Sequence, residues 1–337
     1  MCPLPVSAVI PTYNRAHLLR RAIGSALAAL GPGDEVLVVD DGSTDETVAL
    51  VERYGDPVRL LRIDHGGAGA ARNAGFAAAR GPLVAFLDSD DEWFADKIEL
   101  QRAFMEARPD VLYCCGDFGV RTEDRRELRR TLPLWLDHGQ TLAAEFGPGV
   151  PYLRIAPLPA GRADFPVYIG DLYLEQMRNG FVAAFTAMVR KPEAGEDMAF
   201  AEDLPTCEEW PAFGRLAGRG IGALFDTELA WQHGHGGPRL TEASMDIWAD
   251  AWSASLQRVW GGDAEFLAAH AADYHRALGD ARVMKAVALA RDGGRERIAA
   301  AVAVALRDPR GAGRLARRVL GRRRRAKAIG RASNADG

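Results

Sequence analysis

The chain has few cysteines and no long apolar run. Its 337 residues include four cysteines, Cys2, Cys114, Cys115 and Cys207, whose spacing forms neither a disulfide framework nor a CxxC metal knuckle. No run approaches the roughly 18 apolar residues that a membrane span needs, and the N-terminal stretch lacks the charged region of a secretory signal. We therefore expect a cytoplasmic protein whose membrane contact, if it has one, is peripheral.

The chain as a whole also lacks an excess of charge of one sign. Lys and Arg number 42 against 46 Asp and Glu, which gives a net charge of −4. Residues 307–337 hold eleven basic and two acidic side chains, or +9, so residues 1–306 carry −4 − 9 = −13. The composition, 48% hydrophobic and 26% charged, is that of a globular protein.

Strand-like and helix-like patterns alternate over residues 6–92, which is typical of an α/β fold with a mostly parallel sheet and helices on both faces. The predicted strands cover residues 6–10, 35–39, 58–63 and 83–87. Ser43 or Thr44 is expected to cap the helix after the second strand, with Glu46 completing a capping box. Acidic clusters follow the second and fourth strands, and ligands of open α/β sheets bind beyond such strand ends.

The second half of the chain is less regular. The pattern predicts a helix over residues 98–107, a strand over 111–115, a long loop region over 131–170, a buried strand over 181–189 and mainly helix over 242–306. Trp248, Trp252 and Trp260 recur at helical spacing, and we interpret this stripe as core packing.

Asp88-Ser89-Asp90 follows a buried apolar strand. Two carboxylates one residue apart repel each other, and a hard divalent cation relieves that repulsion. Mg²⁺ and Mn²⁺ prefer oxygen ligands and often bridge one or two carboxylates to substrate phosphates. A solvated acidic turn is the alternative interpretation, and the position after a buried strand makes the two about equally plausible.

An aromatic ring and a carboxylate follow two other strands. Pro11 and Tyr13 come at the end of the first strand, and Asp40 and Asp41 come at the end of the second. Taken alone, each is a turn sequence. Together they suit a nucleobase, because the ring can stack on the base while a carboxylate accepts an N–H from its edge.

Four segments in this order and spacing, residues 6–15, 38–45, 70–75 and 86–91, resemble the motifs of the family 2 glycosyltransferases. The resemblance covers residues 6–100 closely and continues more loosely to about residue 240. It implies a GT-A fold that binds a nucleotide-diphosphate sugar, with a UDP-sugar as the expected donor, and a divalent cation, Mn²⁺ or Mg²⁺.

The resemblance also implies roles for individual residues. It assigns the nucleotide sugar to Pro11, Tyr13, Asp41, Arg72, Asp88 and Ser89. Asp90 would ligate the metal that bridges the two phosphates and neutralises charge on the leaving group. Many relatives also place a histidine near the metal. We take His235 as that ligand, although His233 is an alternative and the arginine that relatives usually have near Gln232 is missing.

Inverting members of the family use a carboxylate further along the chain to deprotonate the acceptor hydroxyl. Cys207-Glu208-Glu209-Trp210 looks like that segment, with Glu209 in the base position. The usual aspartate is replaced here by a longer glutamate, so Glu208 and the pair Glu202-Asp203 stay open as alternatives. Adjacent carboxylates in a cleft raise one pKa and so favour a general base.

These inferences predict a GT-A domain over residues 1–240, with a nucleotide-binding half over 1–110 and an acceptor half over 111–240. A helical extension over 241–306 and the basic tail over 307–337 follow, and the tail is either disordered or lies on an anionic membrane surface. The expected acceptor is a saccharide or a lipid-linked sugar of cell-surface polysaccharide or glycoconjugate synthesis, and no nucleic acid is expected as a partner.

The resemblance favours an inverting, metal-dependent, non-processive glycosyltransferase over two other functions. A sugar-phosphate nucleotidylyltransferase would need a Gly-rich loop with a basic residue after the first strand, where this chain has Pro11-Thr12-Tyr13-Asn14. A catalytically silent member that senses or scaffolds nucleotide sugars is the alternative. The non-processive assignment follows from the lack of a Gln-x-x-Arg-Trp motif.

Overall fold

The computed structural model describes residues 2–136, 141–235 and 243–291. Contacts within the chain divide it into two compact units. The first comprises Met1–Leu204 and Glu208–Pro238, and the second comprises Pro205–Cys207 and Arg239–Gly337. The functional division into nucleotide-binding and acceptor halves stays a prediction, and the basic tail over 307–337 lies outside the described residues.

Within the described ranges, the first unit contains one sheet of eleven strands. The strands are β1 (Val6–Thr12), β2 (Glu35–Asp40), β3 (Val58–Arg62), β4 (Leu83–Phe86), β5 (Glu92–Trp93), β6 (Val111–Arg121), β7 (Glu127–Leu128), β8 (Val150–Pro151), β9 (Pro166–Gly170), β10 (Met188–Arg190) and β11 (Ile221–His233). The α-helices are α1 (Ala16–Ala29), α2 (Thr47–Glu52), α3 (Gly67–Ala78), α4 (Lys97–Ala107), α5 (Leu142–Phe146), α6 (Tyr173–Asn179), α7 (Lys191–Ala194), α8 (Glu209–Arg219), α9 (Met245–Val259) and α10 (Ala264–Arg291).

The strand order is β3-β2-β1-β4-β10-β6-β11-β9-β8, with β5 paired to β11 and β7 paired to β6. The first four strands are parallel to their neighbours, whereas β10 runs antiparallel between β4 and β6. Strands β1 and β4 are buried along their whole length, as expected for parallel strands covered by helices on both faces. This confirms the predicted α/β fold class with a mixed, partly parallel sheet.

Helices α1 and α3 cover the parallel part of the sheet. In α1, Leu19, Ala22, Ile23 and Ala26 are buried at helical spacing, which gives one apolar face. Gly75 of α3 lies so close to β1 that a Cβ there would come within 2.3 Å of a Val9 methyl carbon. The glycine is therefore what lets α3 approach the sheet.

Two predictions about local structure are wrong. Helix α2 begins at Thr47, without a side-chain cap. The Ser43 hydroxyl instead accepts a hydrogen bond from the Asn14 backbone N–H (2.9 Å), so a tertiary contact takes the place of the capping box. The strand predicted over residues 181–189 is reduced to β10, because residues 184–186 form a 3₁₀ turn. Residues 184–186 and β10 are both buried. Periodicity alone cannot show whether a short buried apolar run is a strand or a helical turn.

The second unit contains α9 and α10 in its described part. Trp252 and Trp260 are buried, which confirms that this aromatic stripe packs in a core. Lys285 of α10 reaches Asp250 of α9 at 2.7 Å. None of the helices in the described ranges has the length and hydropathy that crossing a bilayer requires.

Candidate active site

The sheet brings its acidic strand ends together. Thr12 at the end of β1 is in register with Asp40 at the end of β2. On the other side of β1, Val9 is in register with Phe86 of β4, so the segment that begins at Asp88 lies next to the same edge. Pro11 is buried within β1. The carboxyl ends of three neighbouring strands therefore form one crevice.

Tyr13 and Asp41 lie at one end of this crevice. Tyr13 is 41% exposed, and its ring stacks on that of His65 with centroids 4.2 Å apart. Asp41 is only 3% exposed and its two oxygens accept hydrogen bonds from the N–H groups of Gly66 (2.8 Å) and Gly67 (2.9 Å). Each carboxylate oxygen has two lone pairs, so Asp41 holds the start of α3 and can still accept a further hydrogen bond.

His65 was not predicted as part of this region. Its Nδ1 lies 2.9 Å from Asp41 Oδ2, and its ring stacks on one face of the Tyr13 ring. In the sequence, His65 is followed by glycines and is far from Tyr13. Only the folded chain shows that the two rings stack. A base that stacks on Tyr13 must therefore use the other ring face or displace His65.

Arg72 is the centre of the crevice. It projects from α3, is 5% exposed, and donates hydrogen bonds from Nη2 to Asp88 Oδ1 and from Nη1 to Glu208 Oε1. Burial lowers the pKa of Arg72, but the charges of Asp88 and Glu208 outweigh that effect and raise it overall. The guanidinium is therefore a fixed positive charge between β4 and the start of α8.

A close approach of the backbone allows this bridge. A Cβ on Gly69, one turn before Arg72 on α3, would lie 2.6 Å from the carbonyl oxygen of Ala201. Asn73 continues the contact, since its Nδ2 donates to the carbonyl oxygen of Phe200 at 3.0 Å. The segment that leads into α8 therefore packs directly against α3.

Asp88 and Asp90 have opposite environments. Burial raises the pKa of Asp88, and the charge of Arg72 offsets this only in part. Burial acts in the same direction on Asp90, but the hydrogen bond from His235 and the charge of Arg15 lower its pKa overall. Ser89 between them is buried. Asp90 is therefore the carboxylate that stays ionised most readily.

Asp90, His235 and Arg15 form a compact group. Asp90 Oδ2 lies 2.8 Å from Arg15 Nη1 and 2.8 Å from His235 Nε2, and Arg15 Nη1 lies 2.9 Å from the same His235 nitrogen. Arg15 follows the first predicted strand but was not assigned a role, because the sequence does not show that it turns back toward Asp90.

The other histidine has a different position. His233 Nε2 lies 2.9 Å from Glu92 Oε2, and its backbone N–H donates to Asp91 Oδ1 at 3.0 Å. Burial and the charge of Arg21 lower the pKa of His233. Of the two histidines, only His235 contacts Asp90 in the described part of the chain.

The residues around Asp90 suit a hard divalent cation, although the described ranges contain no group of three or more His, Cys, Asp or Glu side chains arranged to hold one. Asp90 and His235 supply a carboxylate and an imidazole, both of which Mn²⁺ accepts. These two side chains are hydrogen-bonded to each other at 2.8 Å and both contact Arg15, so an ion held by them would replace the contacts that they now make with each other and with Arg15. Two protein ligands leave the remaining positions for phosphate oxygens and water.

Glu208 and Glu209 stand at the start of α8. Glu208 is 4% exposed, and its Oε1 accepts a hydrogen bond from Arg72 Nη1. Glu209 is half-buried; the low-dielectric surroundings, followed by the charge of Glu208, raise its pKa to about 8. The alternatives Glu202 and Asp203 are exposed, and Glu202 accepts a hydrogen bond from Asn73 Nδ2 at 2.8 Å. Of these four acids, Glu209 best combines access with a pKa suited to proton transfer.

A family described as glycosyl transferase family 2 matches residues 7–154. The match contains the predicted nucleotide and metal carboxylates, whereas Glu209 and His235 lie beyond it.

Named relatives match about a third of the chain, and the chain spans less than half the length of each of them. An uncharacterized glycosyltransferase of Rickettsia prowazekii is 40% identical over 113 residues, 33% of this chain and 36% of the relative. The succinoglycan biosynthesis protein ExoO of Rhizobium meliloti is 52% identical over 95 residues, 28% of this chain and 27% of that protein. WfgD of Escherichia coli, named a UDP-Glc:alpha-D-GlcNAc-diphosphoundecaprenol beta-1,3-glucosyltransferase, is 40% identical over 117 residues, 34% of this chain and 46% of WfgD.

The fold extends beyond that segment. The crystal structure of S. aureus TarS residues 1–349 in complex with UDP-GlcNAc is similar with a TM-score of 0.56 and 16% identity, over 85% of this chain and 80% of that one. This likeness shows that the chain has the fold of TarS, and it confirms the predicted GT-A architecture.

Proposed function

We propose that this chain is an inverting, metal-dependent and non-processive glycosyltransferase that moves a sugar from a UDP-sugar to an acceptor hydroxyl. The observation that carries the proposal is the bridge in which Arg72 joins Asp88, beside the proposed metal ligand Asp90, to Glu208, the neighbour of Glu209. The Arg72 guanidinium thus connects Asp88, on the donor side of the crevice, to the residue that precedes the candidate base. The family match over residues 7–154 supports the reaction class.

Donor binding is assigned to the strand ends. Tyr13 is exposed at the edge of the crevice and offers a ring for a nucleobase, and Asp41 beside it retains lone pairs for a base N–H. Arg72 and Asp88 face the sugar and its phosphate, and Ser89 lies between Asp88 and Asp90. A UDP-sugar is the donor we favour, because the similar TarS structure contains UDP-GlcNAc.

Asp90 and His235 would hold Mn²⁺ or Mg²⁺. When bound, the cation would neutralise negative charge on the departing nucleoside diphosphate. The chain contributes the environment: the hydrogen bond from His235 and the charge of Arg15 keep Asp90 ionised against the effect of burial. Arg15, which lies 2.8 Å from Asp90, is also placed to bind a phosphate oxygen.

Glu209 is proposed as the general base. In its deprotonated form the carboxylate takes the proton of the acceptor hydroxyl as that oxygen attacks the anomeric carbon of the donor. The raised pKa of Glu209, about 8, makes the carboxylate a stronger base than a solvated glutamate. Glu208 is fully engaged with Arg72, so we propose that it positions Arg72 and leaves proton transfer to Glu209.

The acceptor is proposed to be a saccharide, and a lipid-linked one fits best. The support comes from WfgD, whose name specifies a diphosphoundecaprenol-linked sugar, and from ExoO, a succinoglycan biosynthesis protein. We place the enzyme in the cytoplasm, with peripheral membrane contact through the basic residues over 307–337. Such a segment would be attracted to an anionic bilayer by about 1 kcal/mol for each basic side chain near the surface.

A donor screen tests the proposed function. The thermal midpoint of the full chain is measured with UDP-, GDP- and dTDP-sugars, with Mn²⁺ and with EDTA, and release of nucleoside diphosphate is followed in parallel. We expect stabilisation by UDP-sugars only with Mn²⁺, together with slow release of UDP. Stabilisation without release in the presence of any glycolipid or oligosaccharide acceptor would instead support a silent nucleotide-sugar binding protein.

A further inference from the structure

A cavity of about 500 Å³ opens beside His235. It is lined by α1, the end of β6 with the turn that follows, and the end of β11. Its charged and titratable lining residues are Arg21, Arg121, Glu123, Arg125, Glu127, His233 and His235. Among the residues assigned to the donor and the metal, only His235 is part of this lining. The cavity is therefore next to the donor crevice and distinct from it.

Two arginines of this cavity have uncompensated charge. Arg21 and Arg125 take part in no ion pair within the residues that the structure describes. The Nε of Arg21 is buried and forms no hydrogen bond with a described residue, and its Nη2 donates to the backbone carbonyl oxygen of Asp90. A buried guanidinium N–H without an acceptor costs free energy, which a bound anion would recover.

The third arginine is held in place by its neighbours. Arg121 lies 2.9 Å from Glu127 and 3.2 Å from Glu92, and its guanidinium stacks on the ring of Trp231 at 4.2 Å. Glu127 is thereby neutralised, and Glu123 is the other carboxylate of the lining. The lining holds three arginines and two glutamates, and Arg121 also pairs with Glu92 outside the lining. Arg21 and Arg125 are therefore the two lining arginines whose charge an anion can meet.

We propose that this cavity binds a phosphate or diphosphate group that the acceptor carries. The proposal rests on the glycosyltransferase function given above and deepens it by naming the acceptor's class. Guanidinium groups match phosphate oxygens with two parallel N–H donors. The cavity is several times larger than a phosphate group, so it can also take the sugar next to that group. The contact of Arg21 with the Asp90 backbone places the bound anion beside the donor crevice, where an acceptor must enter.

The test uses the full chain and three probes, measured by titration calorimetry. Geranyl diphosphate in EDTA reports on the cavity, inorganic pyrophosphate shows whether the anion alone suffices, and UDP with Mn²⁺ reports on the donor crevice. Arg125→Gln is the main variant because Arg125 is exposed, so folding should be retained. Arg21→Gln is the second. Arg126→Gln is the matched control, since Arg126 lies in the same turn, pairs with Asp124 at 2.6 Å and is not part of the lining.

We expect Arg125→Gln and Arg21→Gln each to weaken geranyl diphosphate binding by about tenfold, as for loss of one charge-assisted contact. The control should bind it like the parent, and Arg125→Gln should leave UDP binding unchanged. No binding of geranyl diphosphate by the parent, or equal binding by all variants, would overturn the proposal. Weaker UDP binding by Arg125→Gln would assign the cavity to the donor instead. If UDP binds to none of the proteins, the proposed function fails while the diphosphate titrations still test the cavity.

Discussion

Asp88 and Asp90 are two residues apart in one turn, yet their surroundings act on them in opposite ways. Asp88 shares Arg72 with Glu208, and burial raises its pKa. Asp90 has both Arg15 and His235 within 2.8 Å, and its pKa is lowered despite burial. Neighbouring groups therefore shift the pKa values of the two carboxylates in opposite directions within one crevice.

The group around Arg72 and the group around Asp90 also differ in the number of carboxylates for each positively charged partner. Around Arg72, two carboxylates share one guanidinium, and the charge of Glu208 helps to raise the pKa of Glu209. Around Asp90, one carboxylate has two nitrogen partners. The pKa of Glu209 is therefore raised in the first group, whereas the pKa of Asp90 is lowered in the second.

The largest expected effect comes from the base. Glu209→Gln keeps the size of the side chain but cannot accept a proton, so we expect sugar transfer to fall by about 10³-fold, within the usual range for a general base. UDP binding with Mn²⁺ should stay within a factor of about two. The measurement is steady-state release of UDP together with calorimetry.

Glu202→Gln is the matched control for that substitution, since Glu202 is exposed on the segment just before α8. Transfer by Glu209→Gln at close to the parent rate would show that a different carboxylate accepts the proton.

The next effect concerns Asp90. Asp90→Asn removes the charge that Arg15 and His235 share, so we expect Mn²⁺-dependent UDP binding to weaken by about 100-fold. Binding of UDP in EDTA should change much less. Titration of UDP at several Mn²⁺ concentrations checks this. Asp91→Asn is not a suitable control, because Asp91 accepts a hydrogen bond from the His233 backbone N–H. Parent-like Mn²⁺ dependence in Asp90→Asn would remove the cation from this group.

A smaller effect is expected at the base-binding end. Tyr13→Ala should raise the KM for the donor by about tenfold with little change in kcat, because stacking of one base on an aromatic ring contributes about 1–3 kcal/mol. Tyr13→Phe is the control and should behave like the parent. An unchanged KM in Tyr13→Ala would show that the nucleobase lies elsewhere.

The smallest expected effect is a shift of a pH profile. Glu209 must be deprotonated to act, and its pKa is raised to about 8, so kcat/KM should rise with pH and level off above that value. Glu208→Gln removes the neighbouring negative charge and lowers the pKa of Glu209, so the rising limb should move to lower pH. A limb that keeps its position in Glu208→Gln would mean that the two glutamates do not interact.

Local sequence patterns were enough for the first four strands and for the acids that follow them. Asp41, Asp88 and Asp90 come at or just after the ends of buried apolar runs, and parallel pairing brings such positions to one edge of the sheet. These features depend on neighbours in the sequence, and so they could be predicted from it.

Contacts between distant segments could not be predicted in this way. Arg15 reaches Asp90 across 75 positions, and Arg72 reaches Glu208 across 136. The capping box failed for the same reason, because the Ser43 hydroxyl is used by Asn14. The sequence names the residue types available for a site, whereas the packing of α1 and α3 against the sheet decides which of them meet.

The bridge through Arg72 limits how this chain could be rebuilt from parts. The guanidinium lies in the predicted nucleotide-binding half, and one of its two carboxylate partners, Glu208, lies in the predicted acceptor half. A chimera that took its acceptor half from another protein would leave a buried positive charge half satisfied, unless the new segment presented a carboxylate at the same place. We therefore expect that the two predicted halves cannot be exchanged independently of each other.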